Sequence, residues 1–566
     1  MRLLPVAFGV AAALMLVSLP GTSPAAWSSD PLVNLSVADG SSDQTQPKLA
    51  PTADGGAWVS WFDGIANGFD VRVQRLDGAG NEVLAHNGVL VADRGFTSTQ
   101  DYGLDLDASG NALLIFRDDR PGGTQITAAA ISDAGVALWG ASGVVLTSTT
   151  AFVAAPKIAG TSDGGAMVAW TQDADVHVQK LDASGTIVWA SDVVLTPAVG
   201  TYSVSDLHGA GTDAVLSMVH QTGSFLAPRH LVAQKFDATG AALWGATPVQ
   251  VFDGGSLQLG NFPYFVPDGS GGGVFAWYSN SPLQCRVQHV SSAGAEIFAH
   301  NGVEVSTNAS RVRVSPSADY DAAGDNVFVF WKEQNSLQSQ SGVYGQKIDG
   351  TGTRQWGTDG IVVVGVSAVQ TDQVRCLVQG SGATAFWVAS PAFGQDTVRA
   401  AHVDGAGTVD VGPVGVSTIT SGKSRLAAAN SALGFSIAAW VDDRIDDGDV
   451  YMQNLNSDGS LGGGASGLPE IAAGAGLDLT VSPNPARDRV RIEFAMPDEA
   501  RDATLEILDV AGRRVRTGLA RLDGGASTAV WDTRDDAGRP VANGVYFVRF
   551  EAAGDSRTAK IVLPAR

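Results

Sequence analysis

The residues in this chain that could do chemistry are thinly spread and stop short of complete motifs. Asp105-Leu106-Asp107-Ala108-Ser109-Gly110 begins like a calcium loop, in which oxygens at alternate positions surround the ion. Leu113 stands where many such loops place an acid, and no bidentate Glu follows. A turn between strands is therefore the stronger reading for Asp105, Asp107 and Ser109. The eight histidines are scattered. His86 and His300 recur in identical Ala-His-Asn-Gly-Val stretches, which marks them as turn residues of a repeat; a zinc site would need three or four ligands to converge. Thr52-Ala53-Asp54-Gly55-Gly56-Ala57-Trp58 resembles an Asp-box turn one residue short, and such a turn is structural. No HExxH, Walker A or GxSxG stands in the context its chemistry requires. No cofactor is implied, and Ca²⁺ is the one metal ion with a partial motif.

A second set recurs just past short apolar runs: Asp63, Asp118, Asp119, Arg120, Gln172, Glu333, Asp442, Asp443 and Arg444. Tyr102, Tyr202 and Tyr264 fall in the variable stretches between those units. These positions are candidate ligand contacts on loops of a rigid scaffold. The competing reading is that the Asp and Arg side chains tie neighbouring units together and the tyrosines pack the loops. For most of the charged residues the tie is favoured, because the pattern repeats and active sites seldom do.

The elements that position these residues are repeats. An apolar run ending in a large residue recurs at Trp61, Phe116, Trp170, Trp277, Trp331, Trp387 and Trp440, with a degenerate copy at Val219. The eight copies lie about 54 residues apart, near the length of a propeller blade. A second anchor follows, as in Gln74-Arg75-Leu76-Asp77, Gln179-Lys180-Leu181-Asp182, Gln234-Lys235-Phe236-Asp237 and Gln346-Lys347-Ile348-Asp349, each before a Gly-containing turn. One unit holds four strands, in the first copy Pro47 to Ala53, Ala57 to Phe62, Asp70 to Leu76 and Gly88 to Ala92. The second strand is nearly continuous in apolar residues, so both of its faces are buried, as when blades stack around an axis. The predicted fold is all-β: an eight-bladed propeller of four-stranded blades over residues 27–461. Leu32 to Ala38 reads as a spare fourth strand, and the eighth unit lacks one, so pairing them closes the last blade and removes exposed edges. The eighth unit, with Trp440-Val441-Asp442-Asp443-Arg444 and Asp449-Val450-Tyr451-Met452-Gln453, resembles a bacterial extracellular propeller repeat, which implies fold and setting but no activity.

Composition narrows the setting. Lys and Arg number 36 against 58 Asp and Glu, a net charge of −22 without a basic run, which argues against nucleic acid as a partner. Arg2, the apolar stretch Val6 to Leu19 and the small residues Ser23, Ala25 and Ala26 have the pattern of a secretory signal peptide over residues 1–26. No later segment has the length and apolarity of a transmembrane helix. The expected location is extracellular or at the outer cell surface, and the chain is expected to be a monomer. Cys285 and Cys376 fall in non-adjacent repeats at different repeat positions and are expected to be separate buried thiols.

Gly462 to Gly476, rich in Gly and Ala, reads as a flexible linker. Beyond it, alternating strands at Arg489 to Phe494, Thr504 to Leu508, Thr528 to Trp531 and Val545 to Phe550 suggest a small sandwich over residues 477–566. Pro483-Asn484-Pro485, Ile507-Leu508-Asp509-Val510-Ala511-Gly512-Arg513, Trp531-Asp532, Asp535-Asp536-Ala537-Gly538-Arg539-Pro540-Val541 and Asn543-Gly544-Val545-Tyr546 span nearly this whole module. Together they resemble the FlgD-like Ig domain and the related C-terminal sorting domains of type IX secretion cargo. The resemblance implies export and surface attachment through secretion machinery. The ending Lys560-Ile561-Val562-Leu563-Pro564-Ala565-Arg566 is less basic than many sorting signals.

Three readings follow. In the first, the propeller is a non-catalytic scaffold that binds a glycan or protein ligand. In the second, the chain is an extracellular glycan-active enzyme, sialidase-like or another glycosidase, which requires two carboxylates near the channel mouth. In the third, it is a passive component of the envelope.

Overall fold

Alternating apolar strands punctuated by Asp and Gly turns fold here into an antiparallel meander repeated eight times. The computed structural model describes residues 27–99, 102–463 and, toward the C-terminus, 478–482, 486, 489–496, 504–509, 513–517, 525–552 and 555–563. The expected signal peptide, the linker from Gly464 onward, Pro483-Asn484-Pro485, Val510-Ala511-Gly512 and Pro564-Ala565-Arg566 lie outside the described residues. The chain divides into two compact units, 1–465 and 466–566.

Each blade of the first unit is a four-stranded sheet in chain order from the innermost strand outward. Blade 1 comprises Gln44–Pro51, Ala57–Ile65, Gly68–Leu76 and Val89–Ala92. Blades 2 to 8 begin at Gly103, Val153, Thr201, Phe265, Arg311, Gln370 and Lys423. Blade 8 takes its fourth strand from Leu35–Ala38, which pairs antiparallel with Asp449–Leu455. Every second strand divides its side chains between two neighbours, as its apolar run requires. In blade 1, Ala57, Val59 and Trp61 enter a core shared with blade 8, and Trp58 and Phe62 enter one shared with blade 2. Each blade shares one such core with the blade before it and one with the blade after.

The turn after each third strand explains the recurring Asp and Gly. Asp182 Oδ1 accepts the backbone N–H groups of Ser184 and Thr186, both at 2.9 Å, and Gly185 sits at φ +81°. A Cβ at Gly185 would stand 2.5 Å from the Trp139 ring of the preceding blade. The turn thus needs glycine both for its backbone and for the close approach of the indole. Trp139 Nε1 donates to Ala183 O at 3.1 Å, so Leu138-Trp139-Gly140 of one repeat grips the next repeat's turn. The repeated Gln serves the same motif: in blade 4, Gln234 Oε1 accepts the Trp244 N–H and Gln234 Nε2 donates to Gly245 O.

Cys285 and Cys376 are buried free thiols in blades 5 and 7. Gly462 is tied back into blade 8 through Asn454, whose Oδ1 accepts its N–H at 2.8 Å. Among the described residues no helix is long and apolar enough to cross a membrane.

The second unit forms two sheets. One pairs Asp478–Ser482, Val490–Met496 and Gly525–Trp531; the other pairs Arg514–Thr517, Thr504–Asp509, Gly544–Ala552 and Asp555–Leu563. Val490, Ile492, Ile507, Trp531, Val548, Phe550 and Ile561 are buried between them. This is an Ig-like sandwich.

Candidate functional site

The innermost strands meet around the propeller axis, and their register is broken in a repeated way. In blades 1, 3, 6, 7 and 8 the ladder between first and second strands shifts at a bulge. Within the bulge Gln46, Ala155, Ser315, Gln373 and Arg425 hold φ between 48° and 59°. The following residue is Pro47, Pro156 or Pro316 in three of them, which suits a position that gives up its ladder hydrogen bond. Ladder pairing resumes at Lys48, Lys157, Ser317 and Arg375, and in blade 8 at Ala427. Equivalent positions of different blades thus carry cations, and blade 8 carries Arg425 within the bulge itself.

Lys48, Lys157, Arg375 and Arg425 line a cavity of about 660 Å³ with Asp105, Asp206, His208 and Tyr264. A second cavity of about 600 Å³ adjoins it and shares Tyr264, Phe265, Arg375 and Ala428. Both volumes suit small ligands. The carboxylates have structural tasks. Asp105 Oδ2 accepts the Gly160 N–H at 2.9 Å, Asp206 Oδ2 accepts that of Phe265 at 3.3 Å, and Asp319 Oδ2 accepts that of Val378 at 2.7 Å. Each bond crosses from one blade's innermost strand to the next. Burial pushes the Asp105 carboxyl above its ordinary range. Burial acts the same way on Asp206, but the charge and hydrogen bond of His208 at 3.0 Å, with Lys157 at 3.9 Å, bring it below. Lys157 Nζ also stands 5.0 Å from the Tyr264 ring centroid.

The residues expected on the variable-loop face are distributed around the propeller instead of meeting in one place. Asp63 pairs with Arg72 at 2.6 Å, and Gln172 is half-buried at the end of its strand. Asp118 is buried and receives Arg120 through Nε and Nη2; Asp119 accepts the Gly95 N–H. Glu333 is buried, accepting from Trp331 Nε1 at 2.7 Å and facing Arg313 at 3.2 Å. Asp442 is fully buried among Trp440, Ser421, Lys423 and Arg444, and Arg444 lies 3.9 Å over the Tyr451 ring. Asp443 is exposed beside Gly422. Tyr102 is fully buried, its hydroxyl donating to Gln46 O of blade 1, and Tyr202 packs on His220. Tyr264 alone of the three is exposed, at 60%, and reaches the axial cavity.

Asp105 and Asp107, with Ser109, have separate structural tasks. Asp107 Oδ1 accepts the Ser109 and Asn111 N–H groups and its Oδ2 accepts from Asn111 Nδ2, whereas Asp105 belongs to the cavity wall. Among the described residues no group of three or more His, Cys, Asp or Glu side chains is placed to hold a metal ion. The axial cations were missed by the sequence reading. Their signal is present in Gln46-Pro47-Lys48, Ala155-Pro156-Lys157 and Ser315-Pro316-Ser317, a short motif at one repeat position.

The fold and cavity define a β-propeller protein with a C-terminal Ig-like domain. Residues 480–556 match the FlgD Ig-like domain family. No curated protein matches the chain by sequence. Similar solved structures include the Dos1 propeller (12% identity, 75% of this chain and 94% of that one, TM-score 0.41). Others are a eukaryotic initiation factor (9%, 75% and 88%, TM-score 0.39) and prolyl oligopeptidase B from Galerina marginata (12%, 72% and 56%, TM-score 0.38).

Proposed function

We propose that this chain is a secreted or surface-displayed binding protein whose propeller is the ligand-binding scaffold and whose Ig-like domain serves export and attachment. The observation that carries the reading is the axial cavity, where a repeated bulge aims charged side chains from several blades beside exposed Tyr264. The pattern of residues 1–26 and the family match over 480–556 support the export half. Binding of the full mature chain to glycan and protein arrays tests the scaffold role, with saturable binding expected. A blank on both arrays moves the chain to the passive envelope reading. Cell fractionation of a variant lacking residues 477–566 tests the export role; it is expected to leave the propeller unattached to the surface.

One observation favours glycoside cleavage as a second reading. Asp105 and Asp206 line one cavity, with the first carboxyl held above its ordinary range and the second below. Two carboxyls in one cavity with their pKa values pushed in opposite directions are what such chemistry needs. Release of reducing ends by the wild-type chain, lost in both Asp105→Asn and Asp206→Asn, is its expected signature; binding without any release removes it.

A further inference from the structure

The chain's net charge of −22 means that any cationic surface has to be assembled locally. The axial cavity does this. Lys48, Lys157, Arg375 and Arg425 line it against two carboxylates, Asp105 and Asp206. Both carboxylates are engaged by backbone N–H groups of the neighbouring blade, and Asp206 also faces Lys157 and His208.

The cations of blades 7 and 8 are placed differently. Arg375 is half-buried on the wall between the two cavities, and its guanidinium donates to Val374 O at 2.9 Å. No carboxylate of a described residue pairs with it. Arg425 is exposed in the cavity without a hydrogen bond or ion pair to a described residue. It holds φ +56°, a conformation a non-glycine residue adopts only where its surroundings compensate. Lys48, on the adjoining blade, stands 5.1 Å from the Tyr102 ring centroid. Three consecutive blades therefore present cations to one cavity. Guanidinium forks with spare donors match planar or tetrahedral oxyanions. Tyr264 offers an exposed ring beside Arg375, a surface on which a sugar ring stacks.

We propose that Arg375 and Arg425, flanked by Lys48 and Tyr264, bind the carboxylate or sulfate of an acidic saccharide. The proposal rests on the propeller being a binding module and names the chemistry its cavity selects.

Calorimetric titration of the full mature chain tests it. The probes are trigalacturonate, its methyl ester and a chondroitin sulfate tetrasaccharide with its desulfated form, at 50 and 500 mM NaCl. Trigalacturonate is expected to bind at least about tenfold more tightly than its methyl ester, or the sulfated tetrasaccharide than its desulfated form, which keeps its uronate carboxylates, and binding is expected to weaken in high salt. R375Q/R425Q should lose at least about tenfold for the acid and little for the ester, and R375K should retain part of the affinity. Y264A should weaken acid and ester together, and R513Q, on the Ig-like domain, should bind like the parent. A preference for trigalacturonate assigns the site to uronate; dependence on the ester sulfate assigns it to sulfate. Thermal unfolding of each variant separates lost binding from lost fold. Equal affinity for trigalacturonate and its ester, with no loss on desulfation of the tetrasaccharide, overturns the oxyanion site and leaves the binding module standing. No binding of either acid also overturns it, and only blank arrays then remove the module as well.

Discussion

The seam between blades 8 and 1 and the seam between blades 4 and 5 use the same contacts, although in blade 8, unlike blade 4, the chain does not run on from the third strand to the fourth. At the second, Trp244 Nε1 donates to Ser292 O at 3.0 Å and Gln234 Nε2 to Gly245 O at 2.9 Å. At the first, Trp27 Nε1 donates to Gly78 O at 3.3 Å and Gln453 Nε2 to Ser28 O at 2.6 Å. Asp253, His300 and Glu296 form a relay at one seam, and Asp39, His86 and Glu82 form it at the other. Asn301 Oδ1 accepts the Asp253 N–H as Asn87 Oδ1 accepts that of Asp39. The fourth strand is therefore held by side-chain grips that do not depend on the chain running through. What differs is separation: Gln234 reaches 11 residues along the chain, and Gln453 reaches 425. The longer loop costs more entropy to close. The seam between blades 8 and 1 also buries Asp449, neither of whose carboxylate oxygens has a hydrogen-bond partner among the described residues.

Removing the indole grip is the strongest way to separate the seams. Trp27→Ala and Trp244→Ala should each cost about 3–5 kcal/mol. In Trp27→Ala, hydrogen exchange should show Leu35–Ala38 and Asp449–Leu455 opening before the rest of the propeller. Trp244→Ala should instead lower protection across blades 4 and 5 together. The same exchange pattern in both variants would break the comparison.

Asp449 sharpens it from the other side. Burial, with the charges of Asp446, Asp39 and Asp442, pushes its carboxyl up to about 7. Between pH 4 and 7 the folded state then holds a proton that the unfolded chain has released, so stability falls as pH rises through that window. Asp449→Asn should remove this dependence. In chemical denaturation the gain should be about 1–3 kcal/mol at pH 8, fading toward pH 4, as expected for a shift of this size after relaxation.

Gly80→Ala and Gly294→Ala should cost about 1–3 kcal/mol each, because both hold positive φ and a Cβ at either would stand 2.6 Å from the facing indole. Similar losses at both seams in denaturant midpoints are expected, since the turns are alike.

The smallest effect concerns the two relays. Burial lowers the His86 pKa, but hydrogen bonds to Asp39 and Glu82 raise it overall; His300 is raised first by Glu296. A raised histidine contributes stability below its unfolded value of 6.5, and that contribution is lost as pH rises through the folded value. His86→Gln and His300→Gln should therefore each cost a few tenths of a kcal/mol at pH 6 and less at pH 9, by thermal melts.

Much of this architecture was legible residue by residue. The spacing of Trp61, Phe116 and Trp170 marks second strands, and the observed strands fall over those runs, Ala57–Ile65 where Ala57 to Phe62 was expected. The first strand was less so: Pro47 to Ala53 was expected and Gln44–Pro51 is found, because the bulge at Gln46-Pro47 interrupts the apolar alternation. In the sandwich, Asp478–Ser482, Arg514–Thr517 and Asp555–Leu563 had no place among the expected strands. The candidate site was the least legible. Asp442 and Glu333 carry the residue types of an active site, and their partners Lys423 and Arg313 lie in other strands.

The repeat period, the Asp and Gly turns, the apolar second strands and the spare strand near Leu35 are local, so the sequence alone determined them. Side-chain alternation and the backbone freedom of glycine act over a few residues and need no partner to be recognised. Tyr102 and Tyr264 occupy comparable inter-blade stretches, yet one is sealed between blades and the other faces the axis. Only the tertiary structure decided that, along with the meeting of Lys48, Arg375 and Arg425. They lie in three separate repeats, and nothing local records that the innermost strands of blades 7, 8 and 1 converge on one axis.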